Sequence, residues 1–301
     1  MKATAPTFAV SAATGKSAVA IWSELFKARL TSLVVLTALA GFYMGSAGGM
    51  SLRLLLPALA GTALLACGAA ALNQWWERDY DGLMPRTAGR PLPAGLLRAD
   101  IALAAGVATA VAGLALLATA VNPLTAALGA ATLGLYLFVY TPLKRTTPLN
   151  TIVGAVPGAL PPLMGWTAAR GEVTREGLAL FALQFFWQLP HFLAIAWLYR
   201  EQYERAGFKM LPGVDSSGER TARHAVAHAL ALLPVSLCPA LFGMAGRVYF
   251  AGALVAGAVF VWHALQFSRE LSRERARRMF FVSLVYLPLV LGLMALDRLA
   301  R

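Results

Sequence analysis

The sequence predicts an all-α polytopic membrane protein of nine spanning helices, with the N-terminus in the cytoplasm and the C-terminus outside. Three observations carry this. The chain is 58% hydrophobic and only 13% charged, whereas soluble domains run nearer ~25% charged. Nine stretches approach the roughly 20 apolar residues that a hydrocarbon slab about 30 Å thick requires. With the N-terminus inside, 20 of the 26 Lys and Arg fall on the inner connections, the side on which such residues collect.

The elements follow in chain order. Residues 1–20 are rich in Ala, Ser and Thr and lack a continuous apolar core or a cleavage site, so they read as a loose cytoplasmic tail, not a cleaved signal. A single domain is expected over 21–301, opening with an interfacial helix from Ile21 to Arg29. Spans are placed at about 30–47, 54–74, 101–119, 123–140, 151–168, 177–198, 225–245, 248–268 and 279–297. The third and fourth are joined by the tight turn Val121-Asn122-Pro123-Leu124. Pro and Gly within several spans are compatible with membrane helices. Cys67 and Cys238 lie in apolar helices without disulfide or metal spacing and read as small core residues.

A net charge of +12 invites a nucleic-acid reading, but membrane topology explains it and no nucleic-acid module is present. Outer connections are short and bland. Two inner segments, 75–100 and 199–224, are long. They lie four spans apart and each opens with mixed charge, as in a duplicated helix-plus-loop unit. Parallel repeats of that kind place a site at their interface, so the chemistry is expected at the cytoplasmic end.

The densest mixed charge lies in Asn-Gln-Trp-Trp-Glu-Arg-Asp-Tyr-Asp, residues 73–81. If the second span continues as helix, Asn73, Glu77 and Asp81 share one face, about 6 Å apart per step. Stacked carboxylates repel unless something positive sits among them. Hard oxygen donors suit Mg²⁺, which keeps waters and bridges to a substrate phosphate. Asp79 points elsewhere, toward a second ion or a salt bridge. Pro85 and Pro91 then stop regular helix. Between them Arg86 and Arg90 are suited to grip a diphosphate bidentately. The same charges also fit a plain loop that pairs them off and anchors a helix end. Lys144 and Arg145, at another inner helix end, fit either diphosphate binding or the charge rule. Asn150 fits a phosphate-orienting residue or a cap.

The pattern Asn-x-x-x-Glu-x-x-x-Asp followed by Arg-Thr-x-x-Arg-Pro-Leu resembles the UbiA superfamily of intramembrane prenyltransferases. Within it, 140–166, Phe-Phe-Trp-Gln-Leu-Pro-His from Phe185 to His191, and the loop ending Met210-Leu211-Pro212 resemble the protohaem IX farnesyltransferases. The likeness runs from about Lys27 to the end of span seven. It implies a UbiA-type nine-helix bundle in the bacterial inner membrane. It implies Mg²⁺ held by Asn73, Glu77 and Asp81, with Arg86, Arg90, Lys144 and Arg145 on the diphosphate. The implied reaction joins farnesyl diphosphate to haem b and adds water, giving haem O for terminal oxidases, with a haem A synthase as a pathway partner.

His191 is an ionisable group inside a span, which makes it a functional candidate. In a haem-modifying enzyme it would ligate iron or act as base toward the water that quenches a cation; packing is the alternative. Trp187 and Tyr203 are candidate pocket residues. His224 and His228, four apart at the inner end of span seven, fit metal binding or helix-end anchoring. The chain departs from the family at Gln202, where an acidic residue is usual, so a second ion at Glu201 loses a ligand. Ala28 stands where Pro is usual. Two rival readings stay open: a UbiA-type enzyme acting on an aromatic or quinone precursor, and a membrane transporter.

Overall fold

The computed structural model describes residues 15–46 and 49–299, and the described residues form helices without strands. Most of the expected tail, residues 1–14, lies outside them. Helix α1 (Ala18–Leu25) is followed by α2 (Ala28–Gly45), α3 (Leu52–Asp81), α4 (Ala99–Ala120), α5 (Pro123–Leu143) and α6 (Asn150–Arg170). Then come α7 (Arg175–Leu198), the short α8 (Arg200–Arg205) and α9 (Leu211–Val214), and α10 (Glu219–Leu241), α11 (Arg247–Arg269) and α12 (Arg273–Leu296). Nine of these helices are long and apolar enough to cross a membrane, matching the nine expected spans.

Three boundaries differ from the sequence reading in ways that bear on function. The entry helix does not run from Ile21 to Arg29. It stops at Phe26, and Lys27 takes a left-handed conformation (φ 47°) before α2 begins. Such a conformation costs roughly 1–2 kcal/mol for a residue with a Cβ. Second, α3 does not end near 74. Its 30 residues make it about 45 Å long at 1.5 Å per residue, well beyond a slab about 30 Å thick. Asn73, Glu77 and Asp81 lie in its C-terminal nine residues, in the length that exceeds such a slab. Third, α10 starts six residues earlier than expected, at Glu219.

Close packing replaces the missing hydrophobic drive between helices in lipid. Helix α2 lies against α6, and α3 against α4. A Cβ on Gly165 would sit 1.9 Å from the Ala38 carbonyl oxygen, and one on Gly41 would sit 1.9 Å from that of Pro162. Only glycine permits this approach. The second half, α7 with α10, α11 and α12, is a larger apolar core around Trp197, Tyr249, Phe260 and Phe267. The two halves join through α6 against α7 and α12 against α2. Large apolar side chains such as Leu33, Val111, Phe138 and Val285 remain exposed, as a lipid-facing surface requires.

The two long charged loops meet over one end of the bundle. Met84 of the first packs with Ala206, Phe208 and Met210 of the second, with Tyr80 and Tyr203 at the edge. Lys209 N–H donates to the Lys144 carbonyl at 2.7 Å, drawing in the α5–α6 connection.

Candidate active site

Asn73, Glu77 and Asp81 fall on one buried face of α3, with relative exposures of 1%, 5% and 1%. Asn73 Nδ2 donates to Glu77 Oε2 at 2.9 Å and to Thr141 Oγ1 at 3.3 Å. The helical spacing alone aligns these groups. Burying two carboxylates so close is costly without positive partners, and the fold supplies them. Lys144 Nζ reaches both Glu77 oxygens, at 2.9 and 3.0 Å, and is itself buried. Arg90 donates to Asp81 Oδ2 at 2.6 Å. Thr87 Oγ1 donates to the Asp81 carbonyl at 2.7 Å, folding the loop back so that Arg90 can reach.

Arg86 and Arg145 form the outer rim. Arg86 Nη2 donates to Tyr203 Oη at 2.8 Å and lies over the rings of Tyr199 and Tyr203. Arg145 hydrogen-bonds Tyr80 and stacks 4.0 Å above its ring centroid. Tyr203 thereby joins the second loop to the first. The final turns of α5 widen to a π-helix over Leu135–Tyr140, a local form frequent at functional sites. The Tyr140 ring lies 4.6 Å from Lys144 Nζ, and a Cβ on Gly154 would come within 2.5 Å of that ring.

Sequence reasoning missed Lys27. Its Nζ donates to Asn73 Oδ1 at 3.0 Å. Burial, then the Arg90 and Lys144 cations, push its ammonium down to about 7. The only signal was a lone Lys after the first short helix. Its left-handed backbone is what swings the side chain into the cluster.

Other predicted residues lie elsewhere. The Asp79 side chain is 78% exposed and lies beside Arg78, 3.8 Å away, so it does not join the carboxylate face. Glu201 is exposed. The described residues contain no cluster of three or more His, Cys, Asp or Glu that would hold a metal. The oxygen groups on the buried α3 face are the Glu77 and Asp81 carboxylates and the Asn73 side-chain amide oxygen. The buried Gln202 Oε1 has no hydrogen-bond partner among the described residues. Asn150 is a strut: its Nδ2 donates to the carbonyls of Thr147 at 2.6 Å and Lys209 at 2.9 Å, tying two loops together.

His191 is buried between two aromatic faces, Trp187 and Phe280, each with its centroid 5.1 Å away. Ser283 Oγ donates to the Phe280 carbonyl at 2.6 Å, so it accepts from His191 Nδ1 at 2.7 Å. That chain fixes the tautomer and leaves the lone pair on Nε2. Trp187 Nε1 donates to the Ser283 carbonyl at 2.7 Å, locking the same corner.

The site is thus a face of hard oxygen donors ringed by Lys27, Arg90, Lys144, Arg86 and Arg145. The arrangement accepts positive charge at its centre and anionic oxygens at its rim. Comparison with known proteins places the whole chain. A relative from Solibacter usitatus (strain Ellin6076), a protoheme IX farnesyltransferase, is 49% identical over 91% of this chain and 97% of its own. A structure of digeranylgeranylglyceryl phosphate synthase superposes with TM-score 0.79 at 14% identity, over 93% of this chain and 98% of that one. A UbiA homologue from Archaeoglobus fulgidus bound to GPP and Mg²⁺ gives TM-score 0.64 at 18% identity, over 91% and 99%. The transporter reading falls away, because residues 34–285 match the model of the UbiA prenyltransferase family. The protein is therefore a multi-pass membrane transferase and belongs to the UbiA prenyltransferase family.

Proposed function

We propose that the chain transfers the farnesyl group of farnesyl diphosphate to a vinyl group of haem b, with addition of water, giving haem O for terminal oxidase assembly. The carrying observation is the buried Asn73–Glu77–Asp81 face with five cations around it, in a chain 49% identical to a protoheme IX farnesyltransferase. The aromatic or quinone-precursor reading has no comparable support.

The oxygen donors of that face fit Mg²⁺, and the Archaeoglobus homologue binds GPP with that ion. When bound, the ion would neutralise charge developing on the leaving diphosphate. Asn73 Oδ1, Glu77 and Asp81 would hold it. Arg86, Arg90, Lys144 and Arg145 grip the diphosphate oxygens, and Lys27 adds a fifth cation from α2. Spreading the leaving charge over these groups lowers the barrier to cleavage of the farnesyl C1–O bond. The terminal vinyl carbon attacks C1, and the resulting porphyrin-side cation takes up water. His191 Nε2, whose lone pair the Nδ1 hydrogen bond leaves free, receives the proton that water loses. The apolar bundle keeps stray water from the farnesyl cation. The Lys and Arg distribution supports a site at the cytoplasmic face; the haem reading adds the bacterial inner membrane as its location and a haem A synthase as the next enzyme.

Incubating purified protein with haem b, farnesyl diphosphate and Mg²⁺ is expected to give the mass of haem O, lost in EDTA. Prenylation of a hydroxybenzoate with no haem product would overturn the assignment. Lys27→Met is expected to lower kcat/KM for farnesyl diphosphate about ten- to a hundredfold. Losing one charge-assisted hydrogen bond costs roughly 1.5–3 kcal/mol. An unchanged kcat/KM would remove Lys27 from the diphosphate site.

A further inference from the structure

Four oxygens of the α3 face that suit a divalent ion already accept from protein donors. Asn73 Oδ1 accepts from Lys27 Nζ at 3.0 Å. Both Glu77 oxygens accept from Lys144 Nζ, at 2.9 and 3.0 Å, and Oε2 accepts from Asn73 Nδ2 as well, at 2.9 Å. Asp81 Oδ2 accepts from Arg90 at 2.6 Å.

These contacts set the charge of the face. The Glu77 and Asp81 carboxylates are matched by Lys144 and Arg90 in direct contact, so the face has no surplus negative charge to draw in a dication. An ion arriving alone competes with basic side chains for its donors. Taking Glu77 from Lys144 leaves a buried cation without its partner, which is strongly unfavourable. A diphosphate meets the opposite field. It brings several anionic oxygens to the same basic groups. A Lys or Arg that leaves a carboxylate then keeps an anionic partner, and the freed carboxylate oxygens are open to an ion.

Lys27 differs from the other two. Its partner is a neutral amide oxygen, so moving it strands no carboxylate. Balancing the two carboxylates requires only Lys144 and Arg90. Yet the chain holds Lys27 in a left-handed conformation (φ 47°) and sets its side chain on a third donor oxygen of the same face.

We infer that Lys27, Arg90 and Lys144 are exchangeable counter-ions, which hold the metal-binding oxygens until a diphosphate draws them off. The site then takes a divalent ion together with diphosphate and binds the ion alone poorly. Lys27 is the member that keeps a lone ion from Asn73 Oδ1. The inference rests on the prenyl diphosphate reading of the site. By linkage, ion and diphosphate each tighten the other by the same factor.

The test uses the full-length protein in detergent. Mn²⁺ is the probe ion, read by electron paramagnetic resonance, and farnesyl thiolodiphosphate is the uncleaved analogue. A protein-free series corrects for the ion's own affinity for the analogue. In wild type the Kd for Mn²⁺ is expected to fall about fivefold or more when the analogue is added, the low end of couplings between sites. Lys27→Met is expected to bind Mn²⁺ alone about fivefold or more tighter than wild type, and the analogue more weakly. A merely structural lysine would give no gain in metal affinity. Lys27→Arg, which keeps the charge, should return both affinities toward wild type. Arg90→Gln should shift them in the same directions as Lys27→Met, and gives an independent reading should Lys27→Met fail to fold. Equal Mn²⁺ affinity in wild type and both charge-removing variants would overturn the inference. So would a wild-type Mn²⁺ affinity that the analogue leaves unchanged. If either result comes from protein that makes haem O, the counter-ion exchange falls and the function stands. If the analogue binds neither with nor without Mn²⁺, the diphosphate reading falls with it.

Discussion

Asp81→Asn is expected to lower turnover by about a hundred- to a thousandfold, the effect of deleting one preorganised charge-stabilising group. The exchange keeps the shape of the side chain. Its oxygen still accepts from Arg90, now 2.6 Å from Asp81 Oδ2, and the Thr87 bond goes to the backbone carbonyl, which is unchanged. The loop should therefore stay in place. What disappears is one of two buried carboxylates on a face that otherwise offers only an amide oxygen to a divalent ion. The loss should be sharpest at low Mg²⁺ and partly relieved at high Mg²⁺. Turnover measured across a Mg²⁺ series checks this. Turnover equal to wild type throughout the series would remove Asp81 from the metal site.

Separating Glu77 from Lys144 should have the largest effect on stability. The pair is buried, with the ammonium within 3.0 Å of both carboxylate oxygens. Glu77→Gln leaves a buried cation and Lys144→Met leaves a buried carboxylate. Removing one partner of such a pair costs about 3–5 kcal/mol. Each single variant is expected to unfold at a clearly lower temperature in detergent. The double variant should lose less than the two singles combined, because it buries no unpaired charge. All three should lack activity, since both groups also serve the substrate. Additive losses would mean that the two residues act separately.

The sequence could show the carboxylate face because that face is internal to one helix. Residues 73, 77 and 81 are neighbours by helical spacing alone, once α3 is allowed to outrun the membrane. The same locality made Arg86 and Arg90 legible, since both lie within a few residues of that helix end. His191 was visible as a lone ionisable group in an apolar span. The role of Asp79 stayed open in sequence. Only its exposure, beside Arg78, removes it from the site.

By itself, then, the sequence determined the class, the nine spans, the Asn73–Glu77–Asp81 face and the family resemblance, because each depends on composition or on spacing within a short segment. The tertiary structure alone decided which cations meet which oxygens. Lys27 meets Asn73 across 46 residues, Lys144 meets Glu77 across 67 and Arg86 meets Tyr203 across 117. His191 receives its fixed tautomer from Ser283, 92 residues away. Helical periodicity places side chains within a turn or two and carries no information about partners on other helices. Those pairings arise only when glycine-mediated contacts and folded loops bring distant segments to the same end of the bundle.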